Sequence, residues 1–127
     1  MNIQEVPIDN LAYIGDAVYE LYIRKKVLTE HRAKAGRLHY LAVHFARASF
    51  QAKAAVNIRP YLTEAEENIL RRGRNANHGT MAKHASPQEY AWASALEALI
   101  GYLHLSNQDK RLEEIMTLII IEGEKDG

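Results

Sequence analysis

Two acidic residues lie among small residues in segments with helical periodicity. Asp16 stands between a glycine and an alanine in LAYIGDAVYEL, residues 11–21. Glu97 lies among alanines and a glycine in SALEALIGYL, residues 94–103. Small neighbours allow another helix or a ligand to approach a carboxylate closely. Because hard divalent cations bind carboxylate oxygens, we predict a cation site between the two helices.

Each carboxylate belongs to a stripe along its helix. Ala12, Asp16 and Glu20 recur every four positions, as do Glu97 and Gly101. If the stripes face each other, Asp16 and Glu97 can ligate one Mg²⁺, which accepts one or two carboxylates together with water and phosphate oxygens. Such an ion would activate water for attack on a phosphodiester. On the residues alone, ordinary surface charge is the simpler explanation for two acids on separate helices.

A cationic segment begins at Arg71 and extends to His84. Arginine forms paired hydrogen bonds with phosphate, and Gly73 and Gly79 let the backbone approach a ligand. A helix C-terminus also favours basic residues, which explains the two leading arginines but not the cluster beyond Gly73. The residues that we predict to bind phosphate are Arg71, Arg72, Arg74, Asn75, Asn77, His78, Lys83 and His84.

The composition is ordinary for a soluble globular protein, with 127 residues and a formal net charge of zero. The charge is unevenly distributed, since residues 24–85 hold 13 basic and four acidic residues and the remainder holds three and 12. A basic middle between acidic ends can place a cationic face beside an acidic pocket. The absence of cysteine excludes disulfides and thiolate chemistry. Neither a signal peptide nor a membrane-spanning run is recognisable, so we expect a cytoplasmic protein of one domain, residues 1–127.

Periodicity and capping signals predict five helices and no strand, hence an all-α fold. Capping boxes at Thr63–Glu66 and Ser86–Glu89 mark the starts of the third and fourth helices. Asp9 is the expected N-cap of the first helix, and Ser106 or Asn107 that of the fifth. The first predicted helix starts at Pro7 or Asp9 and ends at Leu28. The other predicted helices are residues 37–58, 63–73, 86–105 and 108–124, with polar loops at 29–36 and 75–85.

Both acidic segments resemble sequence blocks of the ribonuclease III family. Residues 9–21 resemble its signature helix, which reads roughly E-x-L-E-F-L-G-D-A-V-L-E-L. Residues 94–105 resemble its second acidic helix, roughly D-A-x-E-A-x-I-G-A-x-Y-L. The segment RRGRNANH at 71–78 and the short chain are closer to the Mini-ribonuclease III branch, with which the resemblance covers nearly the whole sequence. It implies a helical bundle of the ribonuclease III endonuclease type that forms a homodimer.

The resemblance implies catalytic and metal-binding roles for Asp16 and Glu97, with Mg²⁺ as the cofactor and Mn²⁺ as a substitute. Two of the four usual carboxylates of the family are absent, because Ala12 and Ser94 occupy their positions. Ser94 can still contact the metal through a water molecule. Since less negative charge is available, we expect one metal ion rather than two.

The activity that the family implies is endonucleolytic hydrolysis of double-stranded RNA that leaves 5′-phosphates. The phosphate-binding segment would then contact the RNA, and recognition would depend on A-form shape and 2′-hydroxyls. Because one unrepeated chain supplies one site, cutting both strands requires a homodimer. The branch indicates maturation of a large-subunit (23S) ribosomal RNA precursor, with a ribosomal protein on the substrate as a candidate partner.

Two other classes of protein remain open from the sequence. The missing carboxylates at positions 12 and 94 fit a non-catalytic RNA-binding or ribosome-associated module on the same fold. A helical protein-interaction dimer would use the apolar stripe at residues 115–121 and show little affinity for RNA. Cleavage that depends on both a divalent metal and Asp16 distinguishes the enzyme from either alternative.

Overall fold

The computed structural model describes residues 1–76 and 86–125, and every regular element within them is helical. This confirms the predicted all-α fold. None of the helices in these ranges is both long and apolar enough to cross a membrane. Short 3₁₀ helices cover Ile3–Glu5 and Arg59–Tyr61. The α-helices are α1 Ile8–Glu30, α2 Ala35–Ala46, α3 Ala48–Asn57, α4 Glu64–Asn75, α5 Pro87–Leu105 and α6 Asp109–Glu124.

Helix α5 is the centre of the bundle, because α1, α3, α4 and α6 all pack against it. A central helix must be apolar on most of its circumference, and α5 satisfies this condition. Its side chains at Leu96, Leu99, Ile100 and Leu103 have no exposed surface. The acid of this helix, Glu97, is therefore carried into the interior by the apolar residues on either side of it.

Two glycines bring the backbones of α1 and α5 into direct contact. A Cβ atom on Gly15 would lie 1.6 Å from the carbonyl oxygen of Glu97, and one on Gly101 would lie 1.9 Å from that of Leu11. Both separations are far below van der Waals contact, so neither position tolerates a side chain. On α1 the contact follows Leu11 and Gly15, so the predicted stripe of Ala12 and Asp16 lies one residue away, at the edge of the contact.

Both predicted capping boxes are present. The side chains of Thr63 and Ser86 accept hydrogen bonds from the backbone N–H groups of Glu66 and Glu89, whose carboxylates accept from the cap N–H groups in return. Glu66 is also buried and accepts two hydrogen bonds of 2.8 Å from the guanidinium of Arg111 on α6. Burial alone would raise the pKa of Glu66, but the bonds from Arg111 and Thr63 outweigh it and lower that pKa. The start of α4 is thereby fixed to α6.

The prediction of one helix over residues 37–58 was wrong, because the chain breaks at Arg47 into α2 and α3. Arg47 has an extended backbone, with φ of −65° and ψ of 140°. The Tyr19 hydroxyl donates a hydrogen bond of 2.6 Å to the carbonyl of Phe45, which a continuous helix would use for its own backbone. Phe45 and Phe50 then pack edge to face with ring centroids 5.2 Å apart. Tertiary contacts therefore override the local preference for helix.

Other predicted helix limits shift by one to three residues. Helix α1 starts at Ile8, so Asp9 lies in its first turn rather than at the N-cap. Helix α4 continues to Asn75, and α6 follows Gln108 without a side-chain cap from Ser106 or Asn107. Leu21 of α1 is 56% exposed. The buried residues of α1 are Leu11, Gly15, Tyr19, Ile23 and Val27.

We predict that Gly101→Ala lowers the free energy of unfolding by about 3 kcal/mol, which is the upper end of the usual cost of overpacking. The cost is high because the new methyl group meets a backbone carbonyl that cannot rotate away. The matched control is Gly36→Ala in α2, where an added Cβ has no neighbour within 4 Å. Since alanine favours helix, the control should keep or raise stability by about 0.5 kcal/mol. Urea denaturation followed by circular dichroism measures both, and equal stability of the two variants would contradict the close contact.

Candidate active site

The structure brings Asp16 and Glu97 together at the contact between α1 and α5. Gly15 lies against the backbone of Glu97, so the adjacent Asp16 is at the edge of this contact. The two side chains are within hydrogen-bonding contact of each other. Asp16 is exposed, whereas Glu97 is largely shielded by the surrounding helices. The arrangement is an asymmetric pair with one carboxyl group toward solvent and one toward the core.

The environment of Glu97 favours its neutral form. Burial, the charge of Asp16 and the hydrogen bond between the two carboxyl groups together raise the pKa of Glu97 to about 8. A hydrogen bond from Gln51 acts in the opposite direction by stabilising the carboxylate. At neutral pH, in the absence of metal, Glu97 therefore keeps its proton. A divalent cation in its place would relieve the repulsion between the two charges.

Gln51 is a site residue that the sequence interpretation missed. It lies on α3, is only 5% exposed, and shares with Asp16 the wall of a cavity of about 550 Å³ between α1 and α2. One feature of the sequence could have indicated this role, namely an amide on an otherwise apolar helix face. The buried side of the helix carries Gln51, Ala54, Ala55 and Ile58. A buried amide requires hydrogen-bond partners, and the Glu97 carboxylate is one.

Tyr19 lies beneath the acid pair and links it to the break between α2 and α3. Burial raises the pKa of Tyr19, and the nearby charge of Glu97 raises it further, so its hydroxyl stays protonated. That hydroxyl is the donor to the Phe45 carbonyl. The phenol is therefore a structural group.

The other predicted residues around the acids occupy different environments. Ser94 is 8% exposed and lies one turn before Glu97 on the same face of α5. Glu20 is exposed and forms an ion pair of 2.6 Å with Arg24, one turn along α1. Ala12, at the position of a missing carboxylate, is partly buried against the core. The acid set at the contact between α1 and α5 is therefore Asp16 and Glu97.

The donors present fit a small hard cation. Within residues 1–76 and 86–125, no group of three or more His, Cys, Asp or Glu side chains is placed to hold a metal. Mg²⁺ does not need such a group, because it keeps several water ligands and takes one or two carboxylates. Asp16 and Glu97 supply that minimal set of carboxylates. The amide of Gln51 orients the more buried of them.

Only some of the residues predicted to bind phosphate lie within the ranges that the structure describes. Arg71, Arg72, Arg74 and Asn75 are all exposed on the last turns of α4. Among the described residues none of these arginines forms an ion pair, and Arg71 and Arg74 donate only to the neutral side chains of Asn68 and Asn75. Their charge is therefore available to an anion. The remaining predictions, Asn77, His78, Lys83 and His84, lie outside the described residues.

We predict that Glu97→Gln stabilises the metal-free protein at alkaline pH. Because Glu97 has a raised pKa, the folded chain keeps a proton that the unfolded chain loses, and stability falls as the pH rises from 4.5 toward 8. The amide does not ionise and avoids this loss. We expect a gain on the order of 2 kcal/mol near pH 8 and almost none near pH 4.5.

Urea unfolding in EDTA at both pH values measures this effect. Glu5→Gln, an exposed glutamate outside the helix contacts, is the matched control and should change little. A Glu97→Gln variant that is less stable than the parent near pH 8 would refute the assignment of Glu97 as the destabilised carboxyl.

Comparisons with known proteins identify the family of the chain. The family model for the ribonuclease III domain matches residues 9–108. The Mini-ribonuclease 3 of Clostridium tetani is 45% identical over 111 residues, covering 87% of this chain and 74% of that protein. The Mini-ribonuclease 3 of Symbiobacterium thermophilum is 40% identical, covering 87% and 85%. A crystal structure of a Fusobacterium nucleatum protein superposes with a TM-score of 0.84 at 29% identity, covering 94% of this chain and 98% of that one. The chain therefore belongs to the ribonuclease III family.

Proposed function

We propose that this protein is a metal-dependent endoribonuclease that cuts double-stranded RNA. Membership of the ribonuclease III family supports an endoribonuclease acting on double-stranded RNA. The single observation that carries the proposal is the Asp16–Glu97 pair at the contact between α1 and α5. No packing or capping role accounts for two carboxyl groups held so close that one of them keeps its proton. A site for a divalent cation does account for them.

Asp16 and Glu97 are the residues that we propose to hold Mg²⁺ or Mn²⁺, with Ser94 placed to contact it through water. When bound, such a cation supplies Lewis acidity and lowers the pKa of water near the scissile phosphate. The chain supplies the remaining functions. Gln51 holds the Glu97 carboxylate through its amide, and the apolar residues around Glu97 keep bulk water away from that side of the pair. Both effects favour a single arrangement of the donor oxygens.

Contacts to the RNA are proposed at the exposed end of α4. Arg71, Arg72 and Arg74 offer unpaired guanidinium groups to the phosphate backbone, and Asn75 offers an amide. Contacts of this kind give affinity and register with little sequence information. A duplex would accordingly be recognised mainly by its A-form shape and its 2′-hydroxyls.

A more specific proposal concerns the RNA substrate and where in the cell it is cut. Resemblance to the Mini-ribonuclease III branch supports a precursor of large-subunit (23S) ribosomal RNA, cut to leave 5′-phosphates in the cytoplasm. A ribosomal protein on that RNA is the proposed additional partner. Residues 1–127 would then form one catalytic domain, with substrate choice left to the end of α4 and the segment that follows it.

We predict that Asp16→Asn lowers the cleavage rate of end-labelled duplex RNA at least about 100-fold while leaving duplex binding nearly unchanged, because it removes a metal-ligand charge. EDTA should abolish cleavage by the unsubstituted protein. Asp109→Asn, the same change at an exposed residue of α6, is the control and should cleave normally.

The missing carboxylates at Ala12 and Ser94 favour a specific second candidate, a non-catalytic RNA-binding module. The cleavage and binding measurements on duplex RNA distinguish this module from the nuclease. Binding without cleavage across several duplexes, including stems of ribosomal RNA precursors, would favour the module and refute the nuclease. Failure to bind any duplex would refute both functions.

We further propose a homodimer, since cleavage of both strands needs two sites and one chain supplies one pair of acids. Large apolar side chains are exposed along α1, with Tyr13 78%, Leu21 56% and Leu28 63% exposed. We predict that sedimentation equilibrium gives twice the mass of one chain at micromolar concentration. A monomer that nevertheless cuts both strands at opposed positions would contradict this assembly.

A further inference from the structure

Trp92 on α5 is in contact with two guanidinium groups from other elements. The Cζ atom of Arg59 lies 5.5 Å from the centroid of the indole ring, and that of Arg74 lies 5.1 Å from it. Both distances are within the range of a favourable cation–π contact. The indole is partly buried, and its contacts with these two arginines were not apparent from the sequence.

Three elements converge to make this cluster. Arg59 begins the short 3₁₀ helix after α3, and Arg74 is in the last turn of α4. A Cβ atom on Gly73 would lie 2.8 Å from the Cα of Ala95, so the end of α4 is pressed directly on α5. This contact fixes the backbone of the adjacent Arg74 close to the indole.

Stacking on the ring leaves polar edges of both guanidinium groups available. Arg59 uses Nε and Nη2 to donate to one carboxylate oxygen of Glu67, at 3.3 and 3.2 Å, and Arg74 uses Nε to donate to Asn75 at 3.1 Å. Within the described residues, Nη1 of Arg59 and both Nη atoms of Arg74 make no hydrogen bond. Guanidinium N–H groups that are fixed in orientation and make no other hydrogen bond are well placed to donate to phosphate oxygens.

We propose that Trp92 positions Arg59 and Arg74 as a pair of phosphate-binding side chains for the RNA backbone, a role that rests on the proposed function. The proposal adds Arg59 to the residues that contact the RNA, a residue that the sequence analysis did not predict to bind it. The guanidinium groups occupy the aromatic surface that a base would otherwise stack on. This favours the backbone of a duplex over the bases of a single strand. Arg71 and Arg72 are also exposed on the last turns of α4.

The test measures duplex RNA binding over a range of salt concentrations, in EDTA and in the Asp16→Asn background, so that no RNA is cut. Arg59→Gln and Arg74→Gln should each weaken binding roughly threefold to tenfold and lower the slope of log affinity against log salt by about one. Trp92→Leu should weaken binding and lower the slope although no charge is removed. Trp92→Phe, which keeps an aromatic face, should retain most of both.

Controls separate this role from a structural one. Lys110→Gln removes a charge from the exposed first turn of α6 and should leave affinity nearly unchanged. Thermal unfolding reports whether Trp92→Leu still folds, and if it does not, the two arginine variants decide the result. Normal binding by Arg59→Gln, or a loss by Trp92→Leu that is greater for single-stranded than for duplex RNA, would overturn the inference alone. Absence of duplex binding by the unsubstituted protein would overturn the proposed function with it.

Discussion

The direct contact between the backbones of α1 and α5 is the constraint on which the rest of the structure depends. Gly15 and Gly101 each face a carbonyl oxygen of the opposite helix, so the two helices approach more closely than side chains would permit. At this separation a carboxyl group next to the contact on one helix necessarily meets one on the other. The acid pair is therefore a product of helix packing, and its geometry is as rigid as the core that surrounds it.

This rigidity has an energetic disadvantage that the core must offset. Two acids in contact, one of them largely shielded, oppose folding whenever both are charged. Helix α5 compensates with leucine and isoleucine side chains that are fully buried on either side of Glu97. The destabilised group thus lies on the best-packed element of the domain. Unfavourable charge at one point and strong apolar packing around it are the usual combination at a preorganised site.

The features that the sequence predicted correctly are those decided by neighbouring residues. Capping boxes and helical periodicity act within one or two turns, so the starts of α4 and α5 and the shared face of Ser94, Glu97 and Gly101 could be recognised. The break at Arg47 could not, because it depends on the Tyr19 hydroxyl, 26 residues before its acceptor. Gln51 and the cluster around Trp92 were missed for the same reason. Their partners come from other helices, and no local pattern in the sequence marks the pairing.

Helix α5 also sets a fixed length scale. Trp92, Ala95 and Glu97 lie within six residues of this helix, a span of ~7.5 Å along its axis at 1.5 Å per residue. The arginine cluster is attached at the first two positions and the acid pair at the third, with no hinge between them. The proposed contacts to the RNA backbone and the proposed catalytic pair are therefore carried by one continuous helix. In the proposed enzyme this fixed distance would set where the RNA is cut, and a one-residue insertion between Trp92 and Glu97 would rotate the arginine cluster relative to the acid pair by about 100°.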